Sequence, residues 1–243
     1  MIERSDDQPS IPNRIDAAVC ARTASAAQRY AQQFLGPLLE EKVIEHAHLT
    51  VGISDTALAR NIMLTHARRD CANCEYVLIL DDDIEVTSST VRDLVAELED
   101  RDLDAISGRY AVKNQPDVLA GAVDDGLVLF GLGCFLLRYA ALDALVSSST
   151  TLEMLNEKGE SEELRVVVQS GPRGRVWEGE DYNFCRRLHQ AHRLGLSHKV
   201  AVAHYDWTAR LKTILTPGID LRPLWKGEKH KTPARVPASS RRV

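Results

Sequence analysis

Three adjacent carboxylates, Asp81-Asp82-Asp83, end the most hydrophobic run of the chain, Tyr76-Val77-Leu78-Ile79-Leu80. Like charges about 4 Å apart repel by roughly 4 kcal/mol at an effective dielectric near 20. A fold keeps them together where solvent or a cation compensates. The carboxyl ends of strands in a parallel sheet open on the ligand crevice, and the two-residue period of a strand puts Asp81 and Asp83 on one face. Such a pair suits a hard divalent cation held by few protein oxygens, with substrate phosphates supplying the others. The plainer reading is that the aspartates cap a turn before the next helix. A second acidic group, Glu178, Glu180 and Asp181, lies about a helix start, where the dipole favours carboxylates with or without chemistry.

The elements that must hold these residues can be read from periodicity. Ile15 to Cys20 is a short apolar strand, and Ala27, Tyr30, Ala31, Phe34 and Leu38 follow at helical spacing. His48 to Gly52 is a second strand, and Ser54 or Asp55 can cap a helix carrying Leu58, Ile62 and Thr65. Tyr76 to Leu80, apolar on both faces, reads as a central parallel strand. Val91, Leu94, Val95 and Leu98 mark a helix capped between Thr87 and Ser89, and Asp104 to Gly108 is a fourth strand. The alternation predicts an α/β fold with a mostly parallel sheet flanked by helices. Further on, residues 127–137 read as strand material broken by Gly131 and Gly133, and 147–174 as a polar surface excursion. Residues 180–193 read as a helix and Val200 to Ala203 as a last strand, with His204 just beyond it.

Bulk properties narrow the class. The chain has 243 residues, 44% hydrophobic and 27% charged, which suits one sizeable globular domain. Net charge is -5, so no specific nucleic-acid partner is expected. No run approaches the roughly 20 apolar residues of a membrane span, and the N-terminus has no signal-peptide core. The expected location is therefore cytoplasmic. Residues 1–13 read as a loose lead-in and 222–243 as a basic flexible tail able to make weak contact with an anionic membrane surface. The five cysteines are expected to be reduced. Cys71 and Cys74 form a CxxC, with no second pair or nearby histidine to complete a zinc set.

Leu78 to Glu85, with its Asp81-Asp82-Asp83, resembles the DxD segment of GT-A fold nucleotide-sugar glycosyltransferases. Ala59-Arg60-Asn61 is similar to the Ala-Arg-Asn helix of a bacterial and viral, family-2-like group. Glu180-Asp181-Tyr182-Asn183-Phe184-Cys185 resembles the acidic helix of that group. The resemblance spans about residues 15–206 and implies one GT-A domain, Rossmann-like, over 14–221, with 147–174 as its variable excursion.

That resemblance implies a metal-dependent hexosyltransferase-type enzyme using a nucleotide-sugar donor and an unidentified glycan, lipid or protein acceptor. Asp81, Asp83 and His204 are then the metal residues, for Mn²⁺ or Mg²⁺, with an imidazole favouring Mn²⁺. Asp181 is the general base of an inverting transfer, with Glu180 orienting the acceptor or supporting it. The donor-side residues are Ala21, Arg22, Thr23, Arg60, Asn61, Asp81, Asp82, Lys113 and Gly133. Asp82, in the middle of its run, is the more dispensable aspartate. The alternatives are a nucleotidyltransferase, which normally carries a Gly-rich basic loop after its first strand where this chain has Ala21-Arg22-Thr23, or a non-catalytic sugar-nucleotide-binding protein of the same fold.

Overall fold

The computed structural model describes residues 14–217, apart from 72, 125, 156–157 and 207–210. The lead-in 1–13 and the basic tail 222–243 lie outside the described residues. The chain begins with β1 (Ile15–Ala21), then α1 (Ala24–Tyr30), a π-helical stretch Ala31–Leu35 and α2 (Gly36–Glu40). It continues through β2 (His46–Val51), α3 (Thr56–Asp70), β3 (Tyr76–Asp81), α4 (Ser88–Asp100) and β4 (Ala105–Arg109). Four short strands follow: β5 (Ala111–Val112), β6 (Gln115–Leu119), β7 (Gly121–Asp124) and β8 (Leu127–Phe130). Then come β9 (Cys134–Arg138), α5 (Tyr139–Ser147), β10 (Thr150–Leu155), β11 (Ser161–Val166), β12 (Gly171–Arg173) and β13 (Val176–Glu178). The described part closes with α6 (Glu180–His189), β14 (Leu194–Ala201), β15 (His204–Asp206) and β16 (Leu211–Thr213).

The central sheet runs in the order β14-β4-β9-β3-β1-β2. β1 lies parallel to both β2 and β3, and β14 lies parallel to β4. β9 is antiparallel to both of its neighbours, so β3 is not flanked by parallel strands on both sides. The cause is the connection. β4 leads into short hairpin strands instead of a crossover helix, and the chain re-enters the sheet in the opposite sense. The sheet is mostly parallel and helix-covered, as the alternation predicts.

Alternation along β3 divides the core. Tyr76, Leu78 and Leu80 pack with Tyr30, Phe34 and Leu38 and with Val91, Leu94 and Leu98 of α4. Val77 and Ile79 pack on the other face with Met63 and Leu64 of α3, Leu142 of α5, and Phe184 and Leu188 of α6. Caps fix where the helices start. Asp55 accepts from the Leu58 N–H at 2.9 Å, and Thr87 and Thr90 form a reciprocal capping box on α4. No helix among the described residues is long and apolar enough to cross a membrane.

The surface excursion after α5 forms the mostly exposed β10–β11 hairpin followed by β12, with Leu164, Val167 and Val168 buried. Three expectations change. α6 ends at His189, and the last sheet strand starts at Leu194, earlier than the apolar pattern suggests, because Ser197, His198 and Lys199 interrupt that pattern. His204 opens β15 and pairs with Thr213 of β16, instead of simply following a strand. Cys71 and Cys74 are joined in a disulfide, while Cys20, Cys134 and Cys185 are free thiols.

Candidate active site

A cleft of about 330 Å³ opens at the carboxyl ends of β1 and β3, with Asp81, Asp82 and Asp83 on its wall and Lys113, Asp181 and His204 facing them. The aspartates do not alternate as strand residues. β3 ends at Asp81, and Asp82 and Asp83 turn away, with the Ile84 N–H donating back to the Asp81 carbonyl at 3.2 Å. The turn is held from three sides. The Tyr30 hydroxyl donates to the Ile84 carbonyl at 2.9 Å, the Tyr205 N–H to the Asp83 carbonyl at 2.6 Å, and the Glu85 N–H to the Ala203 carbonyl at 2.9 Å.

Arg60 ties the two acidic groups together. Its side chain, only 3% exposed, donates from Nη2 to Asp81 Oδ1 at 3.0 Å and from Nη1 to Asp181 Oδ1, with Glu180 Oε1 3.3 Å from Nη1. α3 therefore buries Arg60 and Asn61, together with Ala59, Met63, Leu64 and Ala67. Leu58, one of the residues by which the helix is read from the sequence, is 37% exposed. A buried guanidinium is tolerated because carboxylates surround it. Burial lowers the pKa of Arg60, but Asp81 and Asp181 more than reverse this, so it stays charged.

Asp181 stands in the first turn of α6, whose N-cap Gly179 supplies no side-chain cap. Burial pushes its carboxyl up to about 6; Arg60 and the Leu132 N–H oppose the rise, and Asp81 and Glu180 add to it. It is thus mostly ionised at neutral pH yet close enough to the working range to take a proton, as a general base requires. Glu180 sits behind it, with the Ser170 hydroxyl donating to its Oε2 at 3.4 Å.

Asp83 faces two other groups. Lys113 Nζ is 3.1 Å from Asp83 Oδ2, and His204 Nε2 is 3.7 Å from Asp83 Oδ1. His204 Nδ1 lies 2.6 Å from the Ala111 carbonyl, to which it donates, and this holds the ring with Nε2 toward Asp83. A carboxylate beside an imidazole whose far nitrogen is anchored to a carbonyl fits a divalent cation. Tyr110 packs edge-on against the His204 ring, with centroids 5.2 Å apart.

The remaining expected residues divide. Ala21 and Arg22 line the cleft, and the Arg22 N–H donates to Asp82 Oδ2 at 3.1 Å. Asp82 therefore fastens the loop after β1, a structural link that its middle position in the run conceals. Burial raises the Asp82 pKa, the Arg22 N–H works against that rise, and Asp83 and Asp81 add to it. Thr23 caps α1, accepting from the Ala26 N–H at 3.1 Å. Asn61 turns away from the cleft: its amide accepts from the N–H groups of Val167 and Val168 and donates to the Val168 carbonyl at 2.7 Å. Gly133 is buried beneath the site, where an added Cβ would stand 3.0 Å from the Tyr110 hydroxyl and 3.1 Å from Asp81 Oδ2. Tyr110 is the residue that sequence reasoning passed over. Its hydroxyl accepts from the Gly133 N–H at 2.9 Å, and its ring supports His204. The only signal was an aromatic beside Lys113.

The fold, a mostly parallel central sheet flanked by helices, is consistent with a GT-A domain. Residues 21–138 match the family described as glycosyl transferase family 2, in keeping with the resemblance read from the motifs. The match takes in Arg60, the three aspartates and Lys113, and ends before Asp181 and His204. Among solved structures, the chain is similar to a glycosyltransferase involved in the glycosylation of the major capsid of PBCV-1. The two are 12% identical with a TM-score of 0.38, over 54% of this chain and 63% of that one, so the chain spans less than two thirds of that structure. No curated protein matches the chain.

Proposed function

We propose that the protein is a metal-dependent glycosyltransferase that moves a sugar from a nucleotide-diphosphate sugar to an acceptor hydroxyl with inversion. One observation carries this reading: Arg60 draws Asp81 at the end of β3 and Asp181 at the start of α6 to one cleft that also holds Asp83 and His204. The loop Ala21-Arg22, fastened to Asp82, forms the nucleotide side. Lys113 offers a fixed positive charge for the diphosphate. Asp83 and His204, with Asp81 beside them, would hold a divalent cation, which stabilises charge on the departing diphosphate.

In the transfer, the acceptor oxygen forms a bond to the anomeric carbon as the bond from that carbon to the phosphate oxygen breaks. The bonding pair leaves with the nucleoside diphosphate, and the acceptor proton passes to the Asp181 carboxylate. Arg60 keeps Asp181 oriented and limits how far its pKa rises. Glu180 supports the same guanidinium from behind.

The test is a thermal-shift screen of UDP-, GDP-, dTDP- and CMP-sugars with and without Mn²⁺, followed by a hydrolysis assay on any hit. The expected result is stabilisation by one nucleotide class that depends on metal and is lost in Asp83→Ala. A well-folded protein that responds to none of them would overturn the proposal.

A further inference from the structure

At the opposite end of β3 from the cleft lies a second group of metal-ligating side chains. Glu45 and His46, at the start of β2, converge with Cys71 and Cys74, and one ligand atom from each lies within 4.8 Å of all the others. Cys71 is the C-cap of α3, its N–H donating to the Ala67 carbonyl at 3.0 Å, and Cys74 precedes β3 by two residues. Cys74 and Asp81 are seven positions apart in sequence, which along a strand is roughly 20 Å. This group shares no residue with the cleft.

We propose that in the reduced chain Cys71, Cys74, His46 and Glu45 hold one Zn²⁺. The ligand set is thiolate, thiolate, imidazole and carboxylate, all zinc donors, and the two-residue spacing of the cysteines is that of half a structural zinc site. Both cysteines are buried, at 4% and 7% exposure, while Glu45 and His46 approach from the exposed side and leave an entry path. Charge is consistent. Two thiolates and one carboxylate around Zn²⁺ leave one net negative charge, and Arg14 Nε lies 3.7 Å from Glu45 Oε2 to offset it. CxxC spacing alone did not suggest a site, because His46 is 25 residues upstream of Cys71 and only the β1–β2 pairing brings it near.

The Cys71–Cys74 disulfide is the metal-free, oxidised alternative. A thiol reductant supplies two electrons and two protons, giving two cysteine thiols and the oxidised reductant. Zn²⁺ then displaces the two thiol protons. The disulfide closes a loop with only two residues inside it, so it constrains the unfolded chain little. Zinc would tie the end of α3 to the start of β2, which makes it the stronger staple.

The experiment uses the full chain, reduced under anaerobic conditions, with zinc analysis and Co²⁺ titration. The expected result is about one zinc per chain and, with Co²⁺, a thiolate-to-cobalt charge-transfer band with tetrahedral d–d absorption. The oxygen and nitrogen donors of the cleft cannot give that band. It should vanish in Cys71→Ser/Cys74→Ser. Because His46 and Glu45 are exposed, His46→Ala and Glu45→Ala should fold normally and bind about tenfold or more weakly. Mild oxidation should release the metal. Absence of the thiolate band in the reduced wild-type chain would overturn the proposal. So would a band unchanged in the double serine variant, which would place the metal on Cys20, Cys134 or Cys185. Unaltered affinity in both His46→Ala and Glu45→Ala would overturn it as well.

Discussion

Arg60 and Asp181, 121 residues apart in sequence, are joined by an ion pair at the floor of the cleft, and the other nitrogen of the same guanidinium holds Asp81. A single buried cation thus sets the spacing of a carboxylate proposed to work on the donor and one proposed to work on the acceptor. Replacing Arg60 should disturb both at once. Arg60→Met should lower stability by about 2–3 kcal/mol, less than for a fully enclosed pair because its partners reach solvent. It should also move the acid limb of the pH–rate profile upward, since Arg60 holds the Asp181 pKa down. Urea denaturation and initial rates against pH measure the two effects. An unchanged acid limb would show that Asp181 does not control it.

The pH dependence of the proposed transfer follows from Asp181. A base must be deprotonated to accept a proton, so kcat/KM should fall as pH drops through about 6. Asp181→Asn should bind donor normally and lose transfer.

Stability should run the other way. The folded carboxyl is raised above its unfolded value, so ionised Asp181 costs stability at neutral pH, and the cost disappears as pH falls below the ordinary carboxylate range. Metal-free Asp181→Asn should therefore melt higher than wild type at pH 7, with the difference closing toward the ordinary carboxylate pKa near 3.8. Calorimetry at several pH values reads this directly.

Gly131 and Tyr110 should be coupled. A Cβ on Gly131 would overlap the Tyr110 hydroxyl, which is hydrogen-bonded to the Gly133 N–H and has little room to move. Gly131→Ala should cost about 1–3 kcal/mol by overpacking. Tyr110→Phe should cost about 1 kcal/mol through the unpaired Gly133 N–H. The double variant should be less damaged than the sum, because the hydroxyl that clashes is gone. Strict additivity in a double-mutant cycle would count against the contact.

Far from the cleft, Asp16 of β1 is fully buried, with the Tyr139 hydroxyl donating to its Oδ2 at 3.1 Å and His48 Nε2 also 3.1 Å from Oδ2. Asp16, whose Oδ2 lies against His48 Nε2, raises the His48 pKa, although burial opposes it. The protonated pair should stabilise the fold fully below the usual imidazole range, and that contribution should be lost as pH rises through the raised value. His48→Gln should flatten the dependence seen in wild-type melting as pH rises from the ordinary imidazole pKa near 6.5 upward.

Much of the architecture could be read locally. β3 was legible because five consecutive apolar residues need cover on both faces, and the aspartates after it because charge at such a strand end needs a compensating partner. The Thr87 and Asp55 caps were legible because a cap is a contact within one turn. The face of α3 was not. Its pattern favours Leu58, Ile62 and Thr65, yet the helix buries Arg60 and Asn61, because Arg60 answers carboxylates on two other elements and Asn61 pins the backbone at Val167 and Val168.

Residue order and pattern are enough to place three aspartates at the end of a buried strand, with an acidic helix start and a histidine downstream. Which of them meet is set by the packing of the folded chain. Asp81 turns to Arg60, Asp82 to the loop after β1, and Asp83 to Lys113 and His204. Three neighbours in sequence acquired separate partners because the chain leaves the strand after Asp81 and turns. Their partners come from segments brought in by sheet pairing and helix packing, and no local pattern encodes those long-range contacts.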